Sequence, residues 1–244
     1  MKDNKASQKR KIHADHVVIA IGILAFLLFA GNEISNHLSN AYRINALSRM
    51  LQAMAVCVIS YCAARLHYRR TKSHDLVRRA FYLFFALYLY LLFTLTLMDE
   101  TMGRGPESIY RLLSQGARND YISYFVNLVP FRSIYRVYIV GFIRGYIHFS
   151  LIALNLIGNI IAFMPLAFFL PLLSKSARKW QVFLLFSVGL VVAVELLQFL
   201  LMVGSCDIDD LLLNSGGAIL MFFILRIPAI KKMLNNFLCH AWEW

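Results

Sequence analysis

Charged residues are scarce in this chain: they make up 16% of its 244 residues, whereas hydrophobic residues make up 59%. Soluble domains average about a quarter charged residues and about half apolar ones, so both proportions argue against a soluble protein. Several apolar runs reach the roughly 20 residues that a helix needs to cross a bilayer. The composition therefore predicts an all-α integral membrane protein without a separate soluble domain.

Sequence motifs of several common protein classes are also missing. The four cysteines show no C-x-x-C pair and no cysteine and histidine spacing of a zinc site. No G-x-S-x-G motif, no phosphate-binding loop and no pairing of a nucleophile with a base is present. We therefore expect no bound cofactor and no disulfide framework.

Acidic residues are outnumbered, with 13 of them against 25 lysines and arginines and a formal net charge of +12. In a soluble protein such an excess would suggest a nucleic-acid partner. Here many basic residues lie in loops between apolar runs, and no basic patch is interleaved with polar surface. The excess is typical of the cytoplasmic loops of a membrane protein, so no nucleic-acid partner is expected.

Six apolar runs predict a bundle of about six transmembrane helices. The runs are His16–Gly31, Ala46–Ala64, Ala80–Met98, Ser150–Leu173, Trp180–Val203 and Asp210–Leu225. If both termini are cytoplasmic, most lysines and arginines fall on the cytoplasmic side, as the positive-inside rule requires. The first run also has the make-up of a cleaved signal peptide, but a retained span is preferred because a multi-span protein needs no cleaved signal.

The segment from Tyr121 to Phe149 does not have the composition of a clean span. Its aromatic residues are interspersed with Arg132, Arg136 and Arg144, which are too frequent for hydrocarbon. Aromatic and basic side chains together are typical of the headgroup level of a membrane. The pattern predicts an interfacial or re-entrant segment.

Polar residues inside the last three apolar runs form the most unusual feature of the sequence. They are Asn155, Asn159, Glu195, Gln198, Asp210 and Asn214. Within each run the two residues are three or four apart, which places them on one helix face. The predicted topology puts all three pairs in the outer half of the membrane. This arrangement predicts a polar cavity that opens to the outer surface.

Glu195 is the candidate catalytic residue of this set. A carboxylate within a span is costly and usually marks a functional path or a paired site. Arg132 or Arg136 would be its possible cationic partner. Asn155, Asn159 and Gln198 are equally well explained as hydrogen-bonding residues that hold helices together.

Three aspartates, Asp207, Asp209 and Asp210, stand just before or at the start of the last run. An aspartate at a helix start is an ordinary N-cap, and Asp209 is the residue expected in that role. Asp207 and Asp210 could also offer oxygen ligands to a divalent cation. The spacing lacks a full EF-hand pattern, so no metal is expected.

Four separated motifs resemble those of the VanZ-like family of bacterial membrane proteins. They are N-L-V-P-F at Asn127–Phe131, N-L-I-G-N-I-I-A-F-M-P-L-A-F-F-L-P with its two prolines at Asn155–Pro171, E-L-L-Q at Glu195–Gln198 and D-I-D-D-L-L-L-N-S-G-G at Asp207–Gly217. The family usually has an arginine just before the last motif, where this chain has Gly204, Ser205 and Cys206. Arg132 or Arg144 could take its place.

The resemblance implies a division of the chain and a cellular role. Residues 120–225 would form the VanZ-like domain, after an N-terminal membrane segment with three spans and a polar outer loop (1–119) and before a cytoplasmic tail (226–244). The family implies a multi-pass protein of the bacterial plasma membrane linked to low-level resistance to the glycopeptide antibiotic teicoplanin. Membrane lipids are the expected surroundings.

Three functions are compatible with these residues. The preferred one is binding of a lipid-linked cell-envelope molecule, such as a cell-wall precursor, or of a lipophilic glycopeptide at the outer leaflet. The predicted ligand-binding residues are Asn127, Arg132, Asn155, Asn159, Glu195, Gln198, Asp207, Asp210 and Asn214. The second is a membrane enzyme that modifies an envelope lipid or polymer headgroup, with Glu195 as acid or base. The third is a small transporter or flippase, which would need matching polar groups in the inner half that the sequence does not supply.

Overall fold

The computed structural model describes residues 19–35, 46–98 and 115–242. Across these ranges nearly all regular structure is helical, and four helices are long and apolar enough to cross a membrane. A fifth span results if the last two helices are counted as one. The class of a helical membrane protein is therefore confirmed, whereas the count of six spans and the cytoplasmic termini stay predictions. The basic N-terminus, the start of the first predicted span and most of the polar outer loop lie outside the described residues.

The chain divides into two compact units. The first comprises Met1–Leu91 and Leu234–Glu243, and the second comprises Leu92–Met233 together with Trp244. Within the first unit the described helices are α1 (Ile19–Ser35), α2 (Ala46–Thr71) and most of α3 (Asp75–Phe93). Phe29 of α1, Val56 of α2 and Leu87 of α3 are buried in one apolar cluster. The division of the chain at residues 119 and 225 stays a prediction.

A buried ion pair connects the three helices of the first unit. Arg49 donates from Nε to both carboxylate oxygens of Glu33, at 3.0 and 3.2 Å, and the Tyr90 hydroxyl donates to the same carboxylate. Arg49 lies within the second predicted span, where an unpaired charge would be costly. Removing one partner of a buried pair leaves an uncompensated charge, so each member depends on the other two.

The second unit contains the remaining elements in chain order. They are a π-helical end of α3 (Thr94–Met98), α4 (Gln115–Phe125), β1 (Val126–Asn127), a π-helical segment (Ile134–Val140) with a short α-helical extension (Gly141–Ile143), α5 (Phe149–Ala162), α6 (Leu166–Leu173), a 3₁₀ turn (Ser176–Arg178), α7 (Trp180–Leu201), β2 (Cys206–Asp207), α8 (Ile208–Ile224) and α9 (Pro228–Phe237), whose last turn belongs to the first unit. The bounds of α5 with α6, of α7 and of α8 lie within two residues of the last three predicted spans.

The fourth predicted span is interrupted in the structure. The α5 helix ends at Ala162, and α6 begins at Leu166 after a turn that contains Pro165. Proline lacks a backbone N–H and its ring disfavours helix in the preceding residue, which accounts for the break. Phe149–Leu173 as a whole still has the length and hydropathy of one span.

Two short strands in the second unit were not predicted from hydropathy. β1 pairs with β2 in parallel, with Val126 opposite Cys206 and Asn127 opposite Asp207. A two-residue strand is too short to show the alternation from which strands are predicted. The pairing brings the N-L-V-P-F motif beside the acidic loop, although they are about 80 residues apart in sequence.

The α8 helix packs against both α5 and α7, and its contact with α5 is unusually close. A Cβ atom at Gly217 would overlap the carbonyl oxygen of Ile160 and lie 2.8 Å from its carbonyl carbon. Only glycine allows two helix backbones to approach to this distance. The glycine therefore sets the position of α8 relative to α5.

We expect Gly217→Ala to lower the stability of the second unit, because the added methyl group must push α5 and α8 apart. Overpacking of this kind costs about 1–3 kcal/mol. Thermal unfolding of the purified protein in detergent measures the change. Gly216→Ala is the matched control, since nothing lies within 4 Å of a Cβ at that position. An equal effect of the two substitutions would contradict the assignment.

The predicted sidedness can be checked with single cysteines in a background without the four native ones. We expect a membrane-impermeant maleimide to label Arg118→Cys in intact cells, because residues 99–120 are predicted to form a polar outer loop. Lys175→Cys, in the loop before α7, should react only after the membrane is permeabilised. Both positions are exposed in the structure, so access depends on the side of the membrane. Equal labelling of the two positions in intact cells would exclude this topology.

Candidate functional site

Asp207 is the N-cap of α8. Its backbone is extended, and its Oδ1 atom accepts a hydrogen bond from the backbone N–H of Asp209 at 2.9 Å. The expectation that Asp209 is the cap was wrong. An N-cap residue must have a non-helical backbone, and Asp207 has one because it ends β2, whereas Asp209 already lies in the first helical turn.

The side chain of Asp207 also accepts hydrogen bonds from two residues of another segment, Asn127 and Ser133. Its Oδ1 accepts from Nδ2 of Asn127 at 2.9 Å, and its Oδ2 accepts from the Ser133 hydroxyl. The same Asn127 amide group contacts Oγ of Ser133 at 3.0 Å, and its Oδ1 accepts from the backbone N–H of Val129 at 3.1 Å. Both oxygens of Asp207, a candidate metal ligand, are thus engaged in hydrogen bonds within the protein.

Asp209 is only 1% exposed and binds the backbone of the segment that follows β1. Its Oδ2 accepts from the N–H groups of Ser133 and Ile134 at 2.9 and 3.1 Å, and its Oδ1 accepts from the N–H of Phe131. The N–H groups at the start of a helical segment have no partner within that segment. Asp209 supplies that partner for the π-helical segment beginning at Ile134.

These bonds fix residues 127–136, which we call the clamped loop. Phe131 adopts a left-handed backbone conformation with φ of 62°, which non-glycine residues rarely occupy. The N–H of Arg132 donates to the carbonyl of Val129 at 3.2 Å and closes a turn. Two buried aspartates from β2 and α8 thus hold a loop that is distant in sequence.

Glu195 lies below this loop, in α7, and is buried. Its Oε2 accepts from the backbone N–H of Asp207 at 3.3 Å, among other interactions. The carboxylate therefore gives a backbone N–H group of β2 a hydrogen-bond partner. Arg132 and Arg136, the cations considered as its partners, have exposed side chains.

Gln198, the second polar residue of α7, has a backbone partner. Its Nε2 donates to the carbonyl of Thr96 at 3.0 Å. Thr96 lies in the π-helical end of α3, where the last carbonyl groups lack a partner in the helix. This hydrogen bond links α7 to the end of α3, as expected if Gln198 holds helices together.

The polar pairs of α5 and α8 meet only in part. Asn159 donates from Nδ2 to Oδ1 of Asp210. Asn214 is buried on the same face of α8, four residues from Asp210, and its Oδ1 has no hydrogen-bond partner among the described residues. Asn155 is exposed. The structure therefore brings Asn127, Glu195 and Asp207 together and pairs Asn159 with Asp210, whereas Asn155 and Arg132 point outward from both groups.

The acidic groups also act on the thiol of Cys206, in the loop between α7 and α8. Burial raises the pKa of this thiol, and the negative charges of Glu195, Asp207 and Asp210 raise it further. A thiol with a raised pKa stays protonated near neutral pH and is a poor nucleophile. The surroundings of Cys206 therefore disfavour its thiolate form.

Sequence reasoning missed Ser133, which bonds to both Asn127 and Asp207 through its hydroxyl and to Asp209 through its N–H. The motif considered ended at Phe131, two residues earlier. A serine just before a helical segment is a common cap residue, and that signal could have drawn attention to it. Ser133 reaches Asp207 only because β1 pairs with β2, and the sequence does not reveal that pairing.

The clamped loop presents apolar and basic side chains at its surface. Leu128, Val129 and Tyr135 are largely exposed, Phe131 is 65% exposed, and Arg132 is exposed beside them. A cluster of exposed apolar side chains is typical of a surface that contacts a membrane, a ligand or another protein. The predicted interfacial character of this segment agrees with that composition.

Replacement of Asp209 by asparagine should loosen the clamped loop. The amide keeps one acceptor oxygen but places an NH₂ group against backbone donors, so an N–H group loses its partner. An unsatisfied buried group costs about 1–3 kcal/mol. Hydrogen exchange should become faster at the amides of Phe131, Ser133 and Ile134. Asp120→Asn, an exposed change of the same kind on α4, should leave these amides protected, and equal protection in both variants would refute the clamp.

The clamped loop and α5 to α8 all fall within one match to a known family. A family model described as VanZ/LLP1 matches residues 79–230, more than half of the chain. No curated protein and no solved structure matches the chain in the corresponding comparisons. The match includes all four motifs from which the resemblance was inferred and confirms it. The chain therefore belongs to the VanZ/LLP1 family.

Proposed function

We propose that this membrane protein binds an amphiphilic, anionic molecule at the outer leaflet and thereby contributes to low-level glycopeptide resistance. The molecule would be a lipid-linked cell-envelope component or a lipophilic glycopeptide such as teicoplanin. One observation carries the proposal: three backbone N–H groups of the clamped loop bind the buried Asp209 carboxylate. The loop is thus held in one conformation while most of its side chains remain exposed.

A fixed loop is suited to recognition. Binding normally costs free energy for ordering loops and side chains at the contact, and a loop that is ordered beforehand avoids much of that cost. Asp207, Asn127 and Ser133 bind one another and Asp209 binds the backbone, so little ordering is left to a ligand. The energy of each new contact can then contribute to affinity.

The exposed side chains of the loop match an amphiphile in chemistry. Phe131 and Tyr135 offer aromatic faces, and Leu128 offers an aliphatic surface, for an acyl chain or an aromatic ring. Arg132 and Arg136 are exposed on the same segment. A guanidinium group binds phosphate or carboxylate through two parallel hydrogen bonds, which supports an anionic headgroup as the polar part of the ligand.

The buried acids serve as the frame of this surface in our proposal. Glu195 supports β2 through the N–H of Asp207, and Asp210 is bonded by Asn159 of α5. Their charges are partly satisfied inside the protein, so direct ligand contact is assigned to the exposed arginines. This differs from the sequence-based hypothesis, in which the acids themselves were ligand-binding residues.

The described residues hold no observation that favours the enzyme or transporter hypotheses. A general acid or base must reach its substrate, whereas Glu195 and Asp209 are buried and engaged in hydrogen bonds. Burial and the nearby carboxylates raise the pKa of the Cys206 thiol, which disfavours the thiolate that a nucleophile needs. Binding is therefore the function that the geometry supports best.

The proposal is tested with Arg132→Gln, which removes one charge from the exposed face without touching the frame. Purified full-length protein in nanodiscs would be titrated with teicoplanin and, separately, with a lipid-linked cell-wall precursor. Loss of one charge-assisted contact should weaken binding by roughly tenfold. Cells that express the variant should lose any increased teicoplanin tolerance at an unchanged membrane level of the protein.

Arg118→Gln is the matched control, because Arg118 is exposed on the adjoining helix α4 and carries the same charge. It should bind both ligands as the unaltered protein does. If the two variants bind equally well, or if the unaltered protein binds neither ligand, the clamped loop is not the recognition surface.

A further inference from the structure

A second site lies in the other unit, which the proposed function does not involve. A cavity of about 310 Å³ is lined by residues from the end of α2, from the last turn of α9 and from the segment after α9. The lining residues are Arg65, Tyr68, Arg69, Asn236, Cys239 and His240. This volume is at the lower end of the range of about 300–1,000 Å³ in which small-molecule sites fall.

The wall formed by the C-terminal segment is held in place by three side chains. The Tyr61 hydroxyl donates to the carbonyl of Phe237 at 3.0 Å, and Nε2 of His74 contacts the carbonyl of Cys239 at 3.1 Å. Arg78 donates to the carbonyl of Ala241 at 3.1 Å. Each bond satisfies a carbonyl group at the end of α9 or beyond it, so the segment is a built wall of the cavity.

The charge of the cavity has one sign. Two arginines and a histidine line it, and no aspartate or glutamate is among the lining residues. Arg65 is oriented by the Tyr61 hydroxyl, to which its Nη1 donates at 3.0 Å. Burial raises the pKa of the Cys239 thiol, while Arg65 and Arg69 act in the opposite direction. Both arginines line the same cavity as Cys239.

We propose that this cavity binds the phosphate group of an anionic ligand, either a phospholipid headgroup or a free phosphate. Two guanidinium groups supply forked donors that match phosphate oxygens, and Asn236 and Tyr68 line the cavity with neutral donors. Basic pockets between helices on the cytoplasmic side of membrane proteins are typical lipid-headgroup sites. Both walls belong to segments that the distribution of lysine and arginine places on that side.

The test compares two neighbouring arginines of α2. Arg69 lines the cavity, whereas Arg70, next in sequence and exposed, does not. The purified full-length protein in detergent would be titrated with short-chain phosphatidylglycerol in one arm and with inorganic phosphate in the other. Native mass spectrometry measures binding of the lipid, and calorimetry measures binding of phosphate. Since one arginine near a membrane surface contributes about 1 kcal/mol, Arg69→Gln should weaken binding by roughly fivefold and Arg70→Gln should not.

A second variant tests the cavity without changing a charge. Asn236→Phe fills part of the space from the exposed side and should also reduce binding. Loss in the lipid arm alone identifies a headgroup, and loss in both arms identifies phosphate itself. The proposal is overturned if Arg69→Gln and Arg70→Gln weaken binding equally, if Asn236→Phe binds as the unaltered protein does, or if neither ligand binds to the unaltered protein.

Discussion

Three backbone N–H groups that converge on one buried carboxylate determine the arrangement of the second unit. Hydrocarbon offers no water to satisfy such groups, so irregular backbone near a membrane needs partners within the protein. Asp209 supplies them, and this requires α8 to begin beside β1. The strand pair provides that position, and the close contact of Gly217 with Ile160 holds the helix in it. The clamped loop, the strands and the helix crossing therefore depend on one another.

The helices could be predicted from hydropathy because their signal is local. The predicted fifth span, Trp180–Val203, agrees with α7 to within two residues. The polar contacts could not be predicted in the same way, because partners such as Asn127 and Asp207 are distant in sequence and meet through two-residue strands. Asp209 is an example. The preference for aspartate at helix starts predicted an N-cap, whereas its carboxylate binds the backbone of residues 131–134. The sequence thus identified residues of the candidate site without their roles.

Buried polar residues in a membrane protein need not mark a binding cavity. Gln198 bonds to a carbonyl freed by the π-helical end of α3, and Glu195 bonds to the N–H of a strand. Both residues solve the same problem, which is the satisfaction of backbone groups where secondary structure ends. A polar side chain near a helix end or a short strand therefore has a structural explanation that hydropathy alone cannot provide. The exposed residues above this frame are then the ones available for recognition.

The left-handed backbone of Phe131 has a further consequence. A side chain in this conformation costs about 1–2 kcal/mol, and glycine would avoid the cost. The phenyl ring gains little from packing inside the protein, since it is 65% exposed. The backbone conformation at this position would suit glycine better than phenylalanine. The hydrogen bond from the Phe131 N–H to Asp209 helps to offset this conformational cost. The orientation of the exposed Phe131 ring is therefore set by the backbone bonds of the clamped loop and not by packing of the ring itself.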